Sequence, residues 1–449
     1  MSEKLHKAIA IAREGKDKKM NKIKKILPKL RFPEFKDAGE WEEKKLGEIL
    51  IKNSTKNKKQ KYSLVQSVSN KFGLINQEEY FENRRIAGKD TSNYYVIKKG
   101  YFAYNPSRID VGSLAYKYDN ETSIISPLYV SFKADNKLVL DYFLLNWFDS
   151  ENFTKQMIFE GGVRNTLNYE SLIQIKILLP PSINEQQRIA ACLSSLDELI
   201  SAHSQKLELL KAHKKGLMQN LFPQEGKKVP KLRFKEFEDS GEWKEETLGK
   251  VCDFKSTNSL SREHLSYEKG IVKNIHYGDI HTTFSTLFDI TKEKVPFIKY
   301  SVPVKIKKDN YCIEGDIIFA DASEDIDDIG KSIEIINLNN EKLVSGLHTL
   351  LARQRKQKLA IGFGGYLFKS DWVRKQIQRE AQGAKVLGIS ATRISRIRIL
   401  FPQNIIEQQK IASCLSSLDE LITAQSKKIE QLKQHKKGLM QGLFPKINE

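Results

Sequence analysis

Two stretches of the chain carry apolar residues in unbroken steps of four and three. The first runs through Ile189, Leu193, Leu196, Ile200, His203, Leu207, Leu210, Lys214, Leu217 and Leu221. The second runs through Ile411, Leu415, Leu418, Ile422, Gln425, Ile429, Leu432, Lys436, Leu439 and Leu443. A period of 3.5 residues held over this length predicts a coiled-coil seam on a long helix. Each stripe needs a partner, and the other stripe is the nearest candidate. A different period precedes each one. Ile173, Ile175, Ile177 and Leu179 alternate with polar residues, as do Ile397, Ile399 and Phe401, and both runs end at proline (Pro180-Pro181, Pro402). These read as strands. Ser182-x-x-Glu185 and Asn404-x-x-Glu407 then read as capping-box helix starts. Gly216 and Gly438 lie near the helix ends, and Pro223 and Pro445 stop the helices.

The two stripes belong to a tandem repeat. Residues 180–223 and 402–445 are identical at 32 of 44 positions. A shorter block, PKLRFPEFKDAGEWEEKKLG at 28–47, recurs at 230–249 with 14 of 20 positions kept. The stretches between the blocks, 48–179 and 250–401, do not align, and the second is 20 residues longer. Fixed blocks around divergent regions predict one frame presenting two different surfaces. By the same symmetry, Phe444-Pro445 should lie near Pro28-Lys29. His203 and Gln425 are equivalent positions near mid-helix. In an antiparallel pair they would meet and fix register, or each would reach solvent at a loose layer.

The predicted architecture is therefore α+β: two mixed α/β domains joined by two long antiparallel coiled-coil helices, as a pseudo-twofold tandem repeat. The segments are a basic extension (1–27), a first domain (28–182), a first helix (183–222), a second domain (223–403) and a second helix (404–445). The seam of 33 residues from 189 to 221 spans about 50 Å at ~1.5 Å per residue. DNA-reading modules on successive turns of duplex stand roughly 34–36 Å apart, so such a rod can hold two of them one turn apart.

Charge sharpens this picture. Lys and Arg number 75 against 56 Asp and Glu, a net charge of +19, which favours a polyanionic partner. No apolar run approaches the ~18 residues of a membrane span. Four dispersed cysteines (Cys192, Cys252, Cys312, Cys414) form no CxxC pair, which fits a reducing cytoplasm and argues against a zinc knuckle.

Chemistry of its own is hard to find. Gly383-Ala384-Lys385-Val386-Leu387-Gly388-Ile389-Ser390 places Ile389 where a phosphate-binding loop needs lysine. Asn105-Pro106-Ser107-Arg108 lacks the second proline and the aromatic of an amino-methyltransferase motif. The acidic run from Asp321 to Asp328 lacks the glycine and closing glutamate of a calcium loop. It reads as a solvated loop or as acceptors for cytosine N4. His276 and His281 lack the further ligands that a metal site needs, and no metal is expected.

The pattern Glu-Gln-x-x-Ile-Ala-x-x-Leu-x-x-Leu-Asp at 185–197 and 407–419 resembles the conserved regions of the specificity subunit of type I restriction-modification systems. So does the entry from Leu30-Arg31-Phe32 to Glu40-Trp41, repeated from Leu232-Arg233-Phe234 to Glu242-Trp243. Ala103 to Ile109, with Gly112-Ser113, resembles one recognition-domain type. Asn274 to His281, Gly315 to Asp325 and Gly346-Leu347-His348-Thr349 resemble another. The resemblance covers nearly all of 28–445. It implies a non-catalytic subunit whose two recognition domains each read half of a split, asymmetric DNA site, with the paired helices setting the gap and docking partners. Two modification subunits would bring S-adenosylmethionine and methylate adenine, and two restriction subunits would use ATP and Mg to translocate and cleave. Rival readings are a fused restriction and methylation enzyme, and a coiled-coil scaffold that binds no DNA.

Base reading needs Arg, Lys, Asn, Gln or short polar groups on loops. The candidates are Arg84, Arg85, Asn105, Arg108, Arg164 and Asn165 in the first region. In the second they are Arg262, Asn274, His276, Tyr277, Lys331 and Lys385. Lys214, Lys215, Lys436 and Lys437 sit in the last helical turns, where they complement the helix dipole.

Overall fold

The structure, a computed structural model, describes residues 26–80, 88, 90–157 and 166–446. The strand ahead of the first long helix is Lys176–Leu179. It pairs antiparallel with Glu42–Lys45 of the short block, Glu42 opposite Leu179. Its copy, Arg398–Phe401, pairs with Lys244–Thr247, Lys244 opposite Phe401. Both strands are shorter than the alternation predicts, because single helical turns (Tyr169–Leu172, Ala391–Ile394) come just before them. Ile173 and Ile175 still serve the short block through their carbonyls, which accept from Gly47 N and Leu46 N at 3.0 and 2.8 Å. A Cβ on Gly47 would lie 3.1 Å from the Ile173 Cβ, and one on Gly249 3.1 Å from the Ser395 Cβ. Close approach of backbones accounts for glycine at both places.

The chain divides into two units, residues 1–202 with 428–449 and residues 203–427. In the first, an antiparallel sheet has the order Leu50–Lys52, Val130–Ala134, Tyr101–Tyr104, Leu114–Tyr116. Its inner face is aromatic: the Phe102 and Phe132 rings stack at 5.3 Å, and Trp147 is buried with them. A second sheet has the order Gly73–Asn76, Val65–Ser69, Ser123–Ile125, Tyr95–Ile97, with the middle pair parallel.

The second unit repeats this plan although the sequences between the blocks do not align. Its main sheet has the order Cys252–Lys255, Thr349–Gln354, Ile317–Ala320, Ser332–Asn337. The longer region adds a fifth strand, Leu287–Asp289, parallel to Ser332–Asn337. Its smaller sheet again contains a parallel pair, Lys273–Ile275 with Leu343–Ser345. The divergent regions thus share the order of four main-sheet strands and differ in the added strand, in the smaller sheet and in the loops.

The long helices are Ile183–Leu221 and Ile405–Leu443, 39 residues each. Gly216 and Gly438 lie inside them and do not cap them. Of the predicted seam, Ile189, Leu193, Ile411, Leu415, Leu418, Gln425, Ile429 and Leu432 are buried, and Leu196, Ile200, His203, Leu207, Leu210 and Ile422 are half-buried. Each unit takes the first part of one helix and the last part of the other. In the second unit, Gln425 Nε2 donates to His203 O at 2.8 Å and lies 2.7 Å from His203 Nδ1, while Lys214 ion-pairs with Asp419. Numbers rise along one segment as they fall along the other, so these segments run antiparallel. In the first unit, Lys436 Nζ reaches both Asp197 oxygens at 2.7 Å. Lys214 and Lys436 therefore face the other helix, where the seam places them. The described ends of the chain meet as the repeat predicts: Leu30 N donates to Gly442 O at 2.9 Å, and the Phe444 ring lies 5.4 Å from Phe143.

Candidate nucleic-acid interface

The frame that holds each reading surface is anchored by one buried ion pair per unit. In the first unit, Arg31 Nε and Nη2 donate to the two oxygens of Glu185 at 2.8 and 2.7 Å, and Arg31 Nη1 donates to Gly39 O. Trp41 Nε1 donates to Glu185 Oε1 at 3.3 Å. The second unit repeats the cluster atom for atom with Arg233, Glu407, Gly241 and Trp243, at 2.8, 2.8 and 3.3 Å for the three bonds to Glu407. The carboxylates are 1% exposed in both units. This corrects the capping-box reading. Ser182 Oγ and Asn404 Oδ1 do accept from the helix, from Asn184 N and Ile406 N. Each glutamate points away to a bidentate arginine, the strongest neutralisation available to a buried carboxylate. Sequence reasoning missed this cluster. The signal was present only in part: Arg31, Trp41 and Glu185 recur as Arg233, Trp243 and Glu407, but so do their neighbours Leu30, Phe32, Glu40 and Gln186.

In the first unit, Asn105 is half-buried and organises the turn that presents Arg108. Its Oδ1 accepts from Ser107 N at 3.1 Å, and its carbonyl accepts from Arg108 N at 3.0 Å. Arg108 is exposed. Arg84, Arg85, Arg164 and Asn165 lie outside the described residues.

In the second unit the candidates divide into interior and surface. Asn274 is 0% exposed, and its Oδ1 accepts from Asn258 Nδ2 at 2.7 Å. It braces the strand Lys273–Ile275 in place of the reading role expected from sequence. Arg262 is half-exposed, but its guanidinium is held by Asp279 at 2.6 and 3.0 Å and by the Tyr267 hydroxyl at 3.0 Å. His276 is buried, and its Nδ1 accepts from Gly278 N at 3.2 Å. Burial, then the charge of Arg262, lowers its pKa against a weaker pull from Asp279, so the ring is neutral and caps the turn at Tyr277. Lys331 Nζ donates to His281 O at 2.7 Å and reaches Asp328 at 3.3 Å.

Other candidates reach one surface. Tyr277 stands among three imidazoles, with ring centroids 4.7, 5.9 and 5.2 Å from His276, His281 and His348. A short antiparallel ribbon pairs Ala322 with Gly388 and Ser323 with Leu387. The acidic loop from Glu324 and the turn carrying Lys385 therefore leave the ribbon at the same end. Lys385 is exposed. Gly383 ahead of it has φ of 127°, and a Cβ there would fall 2.0 Å from Val386 O. Only glycine allows that turn. Among the described residues no cluster of His, Cys, Asp and Glu is placed to hold a metal. No described helix is long and apolar enough to cross a membrane.

The sequence profile of the family described as "Type I restriction modification DNA specificity domain" matches residues 38–212 and 240–434, one match in each repeat. Two proteins of Methanocaldococcus jannaschii are similar along their length. One is described as the type I restriction enzyme MjaX specificity subunit, 24% identical over 423 residues, 89% of this chain and 92% of that protein. The other is the type I restriction enzyme MjaVIII specificity subunit, 27% identical over 328 residues, 71% of this chain and 72% of that protein. Two solved structures share the fold at a TM-score of 0.53. The type I restriction-modification S subunit of M. genitalium is 14% identical, over 94% of this chain and 100% of that one. A chain from a structure on complex assembly and conformational transition of the type I R-M system is 16% identical, over 90% and 97%. With the frame present twice, the anchor cluster present twice and the family profile matched twice, the chain belongs to the DNA specificity subunits of type I restriction-modification systems.

Proposed function

We propose that each unit reads one half of a split, asymmetric DNA site. The two long helices pair antiparallel as a coiled coil and fix the gap, in a pseudo-twofold arrangement. The observation that carries this reading is the pair of main sheets that share four strands in one order and differ in an added strand and in their loops, since a common frame with two unlike surfaces suits two unlike half-sites. The excess of 19 positive charges, and the exposed Arg108 and Lys385, supply phosphate and base-edge contacts. In this reading the chain performs no chemistry. Two modification subunits carry S-adenosylmethionine and methylate adenine, two restriction subunits use ATP and Mg, and the assembly works in the cytoplasm.

Modified-base sequencing tests the proposal directly. DNA from cells expressing the chain with its modification subunit should carry a split motif with one methyladenine in each half, absent from cells without the chain. If the two subunits bind each other and no such motif appears, the proposal is wrong and a scaffold role takes its place.

A further inference from the structure

His348 is the one described residue other than glycine, asparagine and glutamine with positive φ, at 52°. The left-handed region is unfavourable for most residues with a Cβ, and such strain persists where the surroundings hold it. The holding groups are visible. Asp321 N donates to the His348 carbonyl at 3.0 Å, and Asp321 Oδ1 lies 3.1 Å from His348 Nδ1. Asp321 thus grips both backbone and ring of the same residue. The Tyr277 ring meets the imidazole edge-on at 5.2 Å. The side chain is nevertheless 49% exposed, in the loop joining Leu343–Ser345 to Thr349–Gln354.

This arrangement fixes the chemistry the ring presents. A carboxylate at Nδ1 selects the tautomer with the proton on Nδ1. Nε2, for which no partner is found among the described residues, then faces outward as an acceptor. The base-edge groups that satisfy a lone acceptor in the major groove are the amino groups of adenine N6 and cytosine N4. Lys385 lies beyond the far end of the ribbon whose strand Ala322–Ser323 follows Asp321.

We infer that His348 reads a base in the second half-site, accepting from an amino group of adenine or cytosine through Nε2, with Asp321 and Tyr277 as positioning residues. The inference rests on the DNA-reading function proposed above. Its test uses the full chain assembled with its modification subunit. Once the wild-type motif is known, affinity is measured for a set of duplexes, each with one base pair of the second half-site changed. His348→Gly removes the ring and keeps the backbone permitted. It should abolish discrimination at one base pair, worth roughly 5- to 100-fold in the wild type, and leave the other positions alone. His348→Asn also tolerates the backbone and should move preference at that same position towards adenine. A uniform loss across all duplexes, or no change at any, overturns the inference and makes His348 a structural residue. If the wild-type assembly recognises no split motif at all, the DNA-reading function fails first and takes the inference with it.

Discussion

The sharpest energetic test concerns the buried anchor of the first unit. Arg31→Met removes the only cation paired with Glu185 among the described residues; that carboxylate is 1% exposed and takes both arginine bonds at under 3 Å. Breaking one side of such a pair costs about 3–5 kcal/mol, because the remaining charge stays buried and unmatched. The cost falls where the short block meets the helix start, so it should appear as local opening of the first unit. Native-state hydrogen exchange reads it. The amides of Trp41, bonded to Ile26 O, and of Leu46, bonded to Ile175 O, should exchange roughly a hundred- to several-thousand-fold faster. The pair Lys244–Thr247 with Arg398–Phe401 is the internal control and should not change. Adding Glu185→Leu to Arg31→Met should recover most of the loss, since apolar replacement of a whole buried pair is close to neutral. Acceleration below about fivefold, near 1 kcal/mol, or a double variant as open as the single one, would refute the argument.

Three further outcomes follow from particular positions. Gly216 and Gly438 lie in helix interiors where an added methyl would meet open space, so alanine at either should stabilise its unit by roughly 0.5–1 kcal/mol in denaturant melts. Gly442→Ala should gain nothing, because its Cβ would sit 2.5 Å from Leu30. Burial raises the Glu334 carboxyl from 4.5 to about 7, against the Gly365 amide that donates to it at 2.6 Å. The unfolded chain releases this proton near 4.5 and the folded chain near 7. Stability should therefore fall by roughly 3 kcal/mol as pH rises through that window, and level off above it. Glu334→Gln should flatten this part of the profile in urea melts at pH 5 and 8, and an unchanged slope would exclude Glu334 as its source. Lys385→Ala should lower the slope of log affinity against log salt by about one without altering base preference, measured by DNA binding over a salt series.

The repeat and the seam are legible in sequence because period and self-similarity survive substitution. Leu193 and Leu415 are buried where the stripe places them. Two local readings fail because a side chain serves a distant partner. Glu185 faces Arg31, 154 positions away, where a capping box expects it to face Ser182. Asn274 looks like a reader because it is polar beside a histidine-rich turn, yet Asn258 draws it inside. The shared strand order is invisible for a different reason. Sheets with one face buried ask only for apolar alternation, and many sequences supply it. His348 stands in a recognisable motif, but its backbone strain and its clamp by Asp321 are properties of three dimensions.

The interleaving of the units bears on how the protein is made. Ribosomes deliver residues 203–427 as one uninterrupted run, so the second unit can complete itself as soon as that run has emerged. The first unit cannot. Its core takes Met440, Leu443 and Phe444, which are translated after that run, so its recognition sheet must wait while the whole second unit is synthesised. During that interval the apolar stripe that Ile189 and Leu193 begin has no lasting partner, which makes the nascent first half the natural client of a chaperone.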